Sequence, residues 1–182
     1  MIEQKRVYKV RAVIYNLDKR KIAVMGYDDT SAFILPGGKL EEGETQEKAL
    51  LREIKEETGI KIKPTTSFPC LYKYEYVRDK VDDEGNKYKV NTITTVYLIE
   101  TDQDFNYETM KLSHSEINNN VKPLWINTAI LEYRLNVTLK NGTYTYKNRF
   151  FDRYANENLS VLKSFYEYKK EKNKDQDNCL GG

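Results

Sequence analysis

Apolar and polar residues alternate from Val7 to Tyr15, in a stretch rich in Val, Tyr and Ile. A period of two with that composition predicts a β-strand. Lys21 to Tyr27 predicts a second strand after the turn Asn16-Leu17-Asp18. The apolar run Ala32-Phe33-Ile34-Leu35 ends at Pro36-Gly37-Gly38, so it reads as strand, then turn. The period then changes. Leu50, Leu51 and Ile54 fall on one side of a helix that starts near Glu44 or Thr45. Gly59 suits the left-handed position that closes such a helix.

Beyond it, Ile60-Lys61-Ile62 predicts a short strand, and Leu71 to Arg78 and Lys87 to Glu100 two longer ones. Asp82-Asp83-Glu84-Gly85-Asn86 joins the long pair as a polar hairpin loop. A short helix is expected over Asn127 to Leu135, after Trp125-Ile126. Asn136 to Tyr146 (NVTLKNGTYTY) places Asn141-Gly142 between alternating segments, which predicts a type I′ hairpin. Phe150 or Phe151, Tyr154, Val161, Leu162, Phe165 and Tyr168 recur at helical spacing and predict an amphipathic C-terminal helix. Strands that cluster without alternating helices argue against a doubly wound parallel sheet.

At 182 residues, 39% hydrophobic and 32% charged, the chain is expected to form one domain over 1–182. Its core spans about residues 5–135, with a hairpin and helix over about 136–172. A net charge of +2 gives no field that would draw nucleic acid, and none is expected as partner. The tail Lys169-Lys170-Glu171-Lys172-Asn173-Lys174 mixes signs and reads as a solvated face. No apolar run reaches the roughly 18 residues that span a bilayer, and Met1-Ile2-Glu3-Gln4-Lys5 lacks a signal-peptide core. Cys70 and Cys179 lack metal spacing and read as free thiols in a reducing cytoplasm. Leu180-Gly181-Gly182 after Cys179 is a poor prenylation signal. His114 is the sole histidine, which excludes His-based metal sites and triads.

The chemistry concentrates between Gly38 and Ile60, GKLEEGETQEKALLREIKEETGI. Glu53, Glu56 and Glu57 stand at i, i+3 and i+4, one above another on a single helical face. Each like-charged pair costs a helix about 0.2–0.5 kcal/mol, so three stacked carboxylates call for a partner. A hard divalent cation such as magnesium, which takes oxygen ligands and retains waters, fits that need.

The segment fills every position of G-x5-E-x7-R-E-U-x-E-E-x-G-U, with U aliphatic. It thereby resembles the signature box of the Nudix hydrolases, the MutT-like family. The resemblance implies an α/β (α+β) fold, an α/β/α sandwich with a mixed sheet, here extended by the C-terminal hairpin and helix. It implies an Mg2+-dependent enzyme, with Mn2+ as a substitute, that cuts the pyrophosphate bond of a nucleoside diphosphate linked to another moiety. Glu53, Glu56 and Glu57 match the metal-ligating carboxylates, and the Gly38 carbonyl the backbone ligand. Arg52 matches the residue that holds a box carboxylate, and Glu44 an acid that supports the site through Arg52 or at a metal. The resemblance implies a box glutamate, Glu56 or Glu53, as general base, with Glu116, shortly before Trp125, as a later-loop candidate and extra ligand.

Specificity in the family lies outside the box. The SQPWPFP element and the LLTxR-like element are both absent, and Tyr76 stands where many ADP-ribose enzymes carry proline. A tyrosine near there resembles the diadenosine-polyphosphate group, although in a chain with 15 tyrosines packing is the better reading of Tyr76. Tyr72, Tyr74, Tyr76 and Trp125 could stack on a base, and Lys39 could meet a phosphate. The expected partner is a nucleotide-derived small molecule: a nucleoside triphosphate, a nucleotide sugar or a dinucleoside polyphosphate, ahead of capped or triphosphorylated RNA. The tail packs on the sheet by default, with substrate shaping or a homodimer as alternatives. A non-catalytic nucleotide sensor is the competing class, and it normally shows a damaged box or a fused helix-turn-helix.

Overall fold

The computed structural model describes residues 4–26, 33–64, 67–140, 145–146, 149–150 and 152–180. Two strands form its spine. β1 (Gln4–Asn16) and β5 (Lys87–Thr101) run parallel in unbroken register from Gln4↔Lys89 to Asn16↔Thr101. Parallel neighbours are covered on both faces, so their final turns read as continuous apolar sequence rather than strict alternation. Ala12, Val13, Ile14, Leu98 and Ile99 are accordingly all buried.

β4 (Cys70–Val81) pairs antiparallel with β5 through the polar loop expected at 82–86. On the other side lie β2 (Lys21–Gly26) and β3 (Phe33–Ile34), giving the order β3-β2-β1-β5-β4. β6 (Lys122–Ile126) pairs with β2 to complete six strands in a mixed sheet. β2 meets β1 only at Tyr15↔Ile22 and Asn16↔Lys21. Further back, the chain leaving β3 takes over the edge of β1. Ala12 N–H donates to the Pro36 carbonyl (2.8 Å), Val10 N–H to Gly38 (2.9 Å), and Leu40 N–H to Tyr8 (3.1 Å). The glycine turn is thus laid against the sheet as a pseudo-strand.

Helices cover both faces. α1 (Gln46–Thr58) buries Ala49, Leu50 and Ile54 against Val10, Ala12, Ile14, Ala23 and Ile99. Full burial of a Leu or Ile contributes about 1.5–3 kcal/mol each. Thr45 caps its start by accepting from Lys48 N–H (3.2 Å), and Gly59 ends it at φ 71°. A Cβ at Gly59 would sit 2.0 Å from the Asn106 carbonyl oxygen, so neither conformation nor space admits a side chain there. α3 (Thr128–Lys140) and α4 (Asp152–Leu180) cover the opposite face, where Leu131, Leu135, Val161, Leu162 and Phe165 pack on Val13, Val24, Val96 and Leu98. The α4 stripe therefore follows the expected spacing from Tyr154 on, while Phe150 belongs to a strand and Phe151 lies outside the described residues. No described helix is long and apolar enough to cross a membrane.

Two expectations are corrected. Ile60-Lys61-Ile62 is not a strand: the Gln103 amide bonds both backbone groups of Lys61 (3.2 and 2.9 Å), and Ile60 buries beside α1. Asn136 to Lys140 is helical, the last turns of α3, despite its β-branched residues. Burial of Leu131, Leu135 and Thr138 along one face outweighs local β preference. The hairpin lies further on, as β7 (Thr145–Tyr146) and β8 (Arg149–Phe150). Asn141-Gly142, the expected turn, falls outside the described residues.

Candidate active site

One face of α1 looks toward the glycine turn. A cavity of about 210 Å³ opens between them, lined by Arg11, Gly37, Gly38, Glu53, Glu57 and Glu116 among others. Glu57, 6% exposed, is the most enclosed of these carboxylates; its Oε2 accepts from Gly37 N–H at 2.6 Å. Burial pushes its pKa up to about 8; Arg11 and the Gly37 N–H pull the other way, and the charges of Glu116 and Glu53 add to the rise. Burial also raises Glu53, against the opposing hydrogen bond and charge of Arg52.

Arg52 organises the outer side. It grips Glu44 with two parallel bonds, Nε to Oε1 (3.0 Å) and Nη2 to Oε2 (2.9 Å). Nη1 reaches Glu53 Oε1 (2.9 Å) and Glu56 Oε2 (3.4 Å), and Nη2 also donates to the Lys39 carbonyl (3.0 Å). The Glu44 hydrogen bond is the largest influence holding the Arg52 proton, and that same bond lowers Glu44. A planar fork can satisfy several carboxylates at once, which a lysine here could not.

The structure brings Gly38, Glu44, Arg52, Glu53, Glu56 and Glu57 into one constellation. Gly38 presses on Glu53: a Cβ there would lie 2.2 Å from Glu53 Oε1. Its carbonyl already accepts from Val10 N–H and has a second lone pair to offer. Glu116 also lines the cavity, from α2 (His114–Asn118), where its carboxylate accepts from Ser113 N–H at 2.7 Å as half of a capping box.

Arg11 is the residue that sequence reasoning missed. Its Nη1 donates to the Leu35 carbonyl (2.7 Å) and to the Gly37 carbonyl, so it pins the glycine turn from below. The one available signal was an arginine inside an otherwise apolar strand end, Val10-Arg11-Ala12-Val13.

The proposed substrate residues are placed differently. Lys39 is exposed beside Gly38. Tyr76 is half-buried, with the guanidinium groups of Arg153 (4.0 Å) and Arg78 (5.3 Å) over its ring. Tyr72 and Tyr74 pack against the α4 side of the core. Trp125 already stacks on Phe105 (4.4 Å, 6° between planes) and donates to Asp104 at 2.6 Å, on the α1 side of the sheet. Lys9, beside Lys39, is held down to about 8, first by burial and then by Arg11, Arg78 and Arg153.

The donor set suits a hard cation. Burial and mutual repulsion both raise the pKa values of Glu57 and Glu53, and a divalent ion would relieve that uncompensated negative charge. Among the described residues no three acidic, His or Cys side chains are grouped closely enough to enclose an ion as they stand, and Glu53 and Glu56 both bond to Arg52.

The profile of the NUDIX domain matches residues 5–131, most of the chain, and the chain belongs to that family. It is thus a Nudix hydrolase, of a class that acts on nucleoside diphosphate derivatives. Among solved structures, the ORF135 protein of E. coli is 18% identical, with 91% of this chain and 92% of that one covered and a TM-score of 0.47. The MutT protein of Methanosarcina mazei is 21% identical, covering 87% and 99% at a TM-score of 0.45. A NUDIX hydrolase of Nitrosomonas europaea is 20% identical, covering 72% and 79%, also at 0.45. No curated protein matches the chain at a significant level.

Proposed function

We propose that this chain is a magnesium-dependent pyrophosphohydrolase that cleaves a nucleoside diphosphate from its linked moiety by attack of water on phosphorus. The observation that supports it most is the cavity where Glu53, Glu57 and the Gly38 turn converge while Arg52 fixes Glu44, Glu53 and Glu56. Glu53, Glu56, Glu57 and the Gly38 carbonyl would hold Mg2+, or Mn2+ in its place, with Glu116 as a further ligand. When bound, the ion supplies neutralisation of phosphate charge and a more acidic water.

The chain's own residues do the rest. Glu56, the more exposed of the two candidate bases at 37% of its side chain against 15% for Glu53, accepts the proton of the attacking water. Arg52 keeps that carboxylate and Glu53 oriented, and Glu44 keeps Arg52 oriented. Arg11 holds the turn that presents Gly38. Lys39 would meet a substrate phosphate, and Tyr76 lies further along the same side of the sheet. An exposed free thiol at Cys70 fits a reducing, cytoplasmic setting.

The test is product release from nucleoside triphosphates, ADP-ribose, nucleotide sugars and dinucleoside polyphosphates with magnesium, for wild type and Glu56→Gln. Loss of a positioned base lowers turnover by roughly 10²–10⁴-fold. Equal turnover in the variant would remove Glu56 from the site. A panel left uncut, with a nucleotide raising Tm, would favour the sensor.

A further inference from the structure

The sheet face that carries Arg11 continues into a second depression. Alternation along β1 sets Lys5, Lys9 and Arg11 on this face, and register brings Thr92 of β5 and Arg78 and Lys80 of β4 beside them. The groove measures about 360 Å³ and is walled by Lys5, Lys9, Lys39, Arg78 and Lys80. Lys9 and Lys39 face each other across an isolated bridge, and Lys39 follows Gly38, so the groove neighbours the carboxylate cavity along the chain.

Two features of the groove are unfavourable as they stand. Its described lining holds five cations and no carboxylate, so like charges crowd one depression. Two acids lie outside that lining: Glu157 of α4, which offsets part of the charge at Lys9, and Asp82, which feels Lys5 from the hairpin loop beyond. On the floor, Thr92 is 1% exposed and its hydroxyl has no hydrogen-bond partner among the described residues. A buried hydroxyl left unpaired is costly. One kind of ligand relieves both: a chain of phosphate oxygens, which takes charge-assisted bonds from the cations and a donor from Thr92.

We infer that this groove receives a phosphate-bearing far end of the substrate, which makes nucleoside and dinucleoside polyphosphates the substrate class rather than sugars linked through a single pyrophosphate. The inference rests on the hydrolase reading for its chemistry, but the groove can be tested without turnover. Acid chemistry and anion binding sit side by side: the scissile bond lies at the carboxylates, and the remaining phosphates run along the cations.

The experiment is calorimetric titration of the full chain with inorganic tripolyphosphate in EDTA, followed by kinetics with magnesium. Wild type binds tripolyphosphate, and affinity falls as salt rises. The double variant Arg78→Gln/Lys80→Gln weakens binding about tenfold, and the near-isosteric Thr92→Val, which keeps the fold, does so by a similar factor. Lys170→Gln/Lys174→Gln, which removes two exposed charges of α4, leaves binding as in wild type. With magnesium, the groove variants lower the kcat/KM ratio of diadenosine tetraphosphate to ADP-ribose about tenfold, through KM.

Unchanged tripolyphosphate binding in both groove variants, or equal loss in the α4 control, overturns the inference. Glu56-dependent turnover with unaltered groove binding sinks the groove alone. Groove-dependent binding with no compound cut sinks the hydrolase reading and leaves the groove standing. Far tighter binding of 5′-triphosphorylated RNA than of tripolyphosphate would replace the small-molecule substrate by nucleic acid.

Discussion

Adjacent glycines in the turn should respond to alanine differently, one chiefly in rate and the other chiefly in stability. At Gly38, the three atoms nearest an added Cβ all belong to the end of one flexible side chain: Glu53 Oε1 at 2.2 Å, Cδ at 2.5 Å and Oε2 at 2.6 Å. Ordinary contact begins near 3.4 Å, so the Glu53 carboxylate must retreat by about 1 Å. It can do so by rotating. The cost to the fold is mainly the Arg52–Glu53 bond, about 0.5–1.5 kcal/mol, or a Tm lower by roughly 2–5 °C. The cost to catalysis is larger, because a 1 Å misplacement of a reacting group lowers rate by about 10²-fold. At Gly37 the obstacle is backbone. A Cβ would lie 2.3 Å from the Val10 carbonyl oxygen and 2.8 Å from Arg11 Cα, and φ is +131°. Neither atom can move without parting the hydrogen bonds that hold the turn to β1. The conformational strain alone is about 1–3 kcal/mol, and the clash adds to it, for a Tm lower by roughly 10 °C. Thermal melts and magnesium-dependent initial rates on both variants decide the matter. Gly38→Ala working within twofold of wild type, or melting as early as Gly37→Ala, would refute the role assigned to this contact.

The other predictions concern capping and acid stability. Thr45→Ala removes the side-chain acceptor for Lys48 N–H at the start of α1 and should lower stability by about 1 kcal/mol in urea titration, with Thr45→Ser restoring most of it. Asp104 is held down to about 2, by hydrogen bonds first from Lys19, then from the Trp125 indole, then from Phe105 N–H. Its folded constant is depressed, so its contribution is complete above the unfolded value near 3.9 and is lost as pH falls through about 2. Wild type should therefore lose more stability than Asp104→Asn between pH 4 and 2 in matched melts. Parallel curves for the two proteins would show that the charge on Asp104 adds nothing to the folded state.

The chain's periodicity was enough to locate most of the frame. Strands over 7–15, 71–78 and 87–100 lie within β1, β4 and β5, because each is long, alternating and rich in β-branched or aromatic residues. The box helix was legible to within a residue of its start, at Glu44 or Thr45, and to its end at Gly59, since a cap and a left-handed glycine are local requirements. Local spacing likewise placed three glutamates on one helical face. It failed where distant packing outweighs neighbours: Asn136 to Lys140 reads as strand, yet it is helix because Leu131, Leu135 and Thr138 must bury together. Ile60 to Ile62 pairs with a glutamine side chain far along the sequence rather than with a strand.

The sites divide the same way. Residue types and their i, i+3, i+4 spacing determined by themselves that a carboxylate face exists and that glycines flank it. Only the tertiary structure decided that Glu57 is the enclosed acid, that Glu44 grips Arg52, and that Arg11 supports the turn. The cationic groove was equally hidden, because Lys5, Lys9, Lys39, Arg78 and Lys80 come from three separate stretches and only strand register sets them side by side. Local geometry follows from neighbours in sequence, but charge crowding, burial and the pKa shifts they cause depend on what the fold brings within a few ångströms.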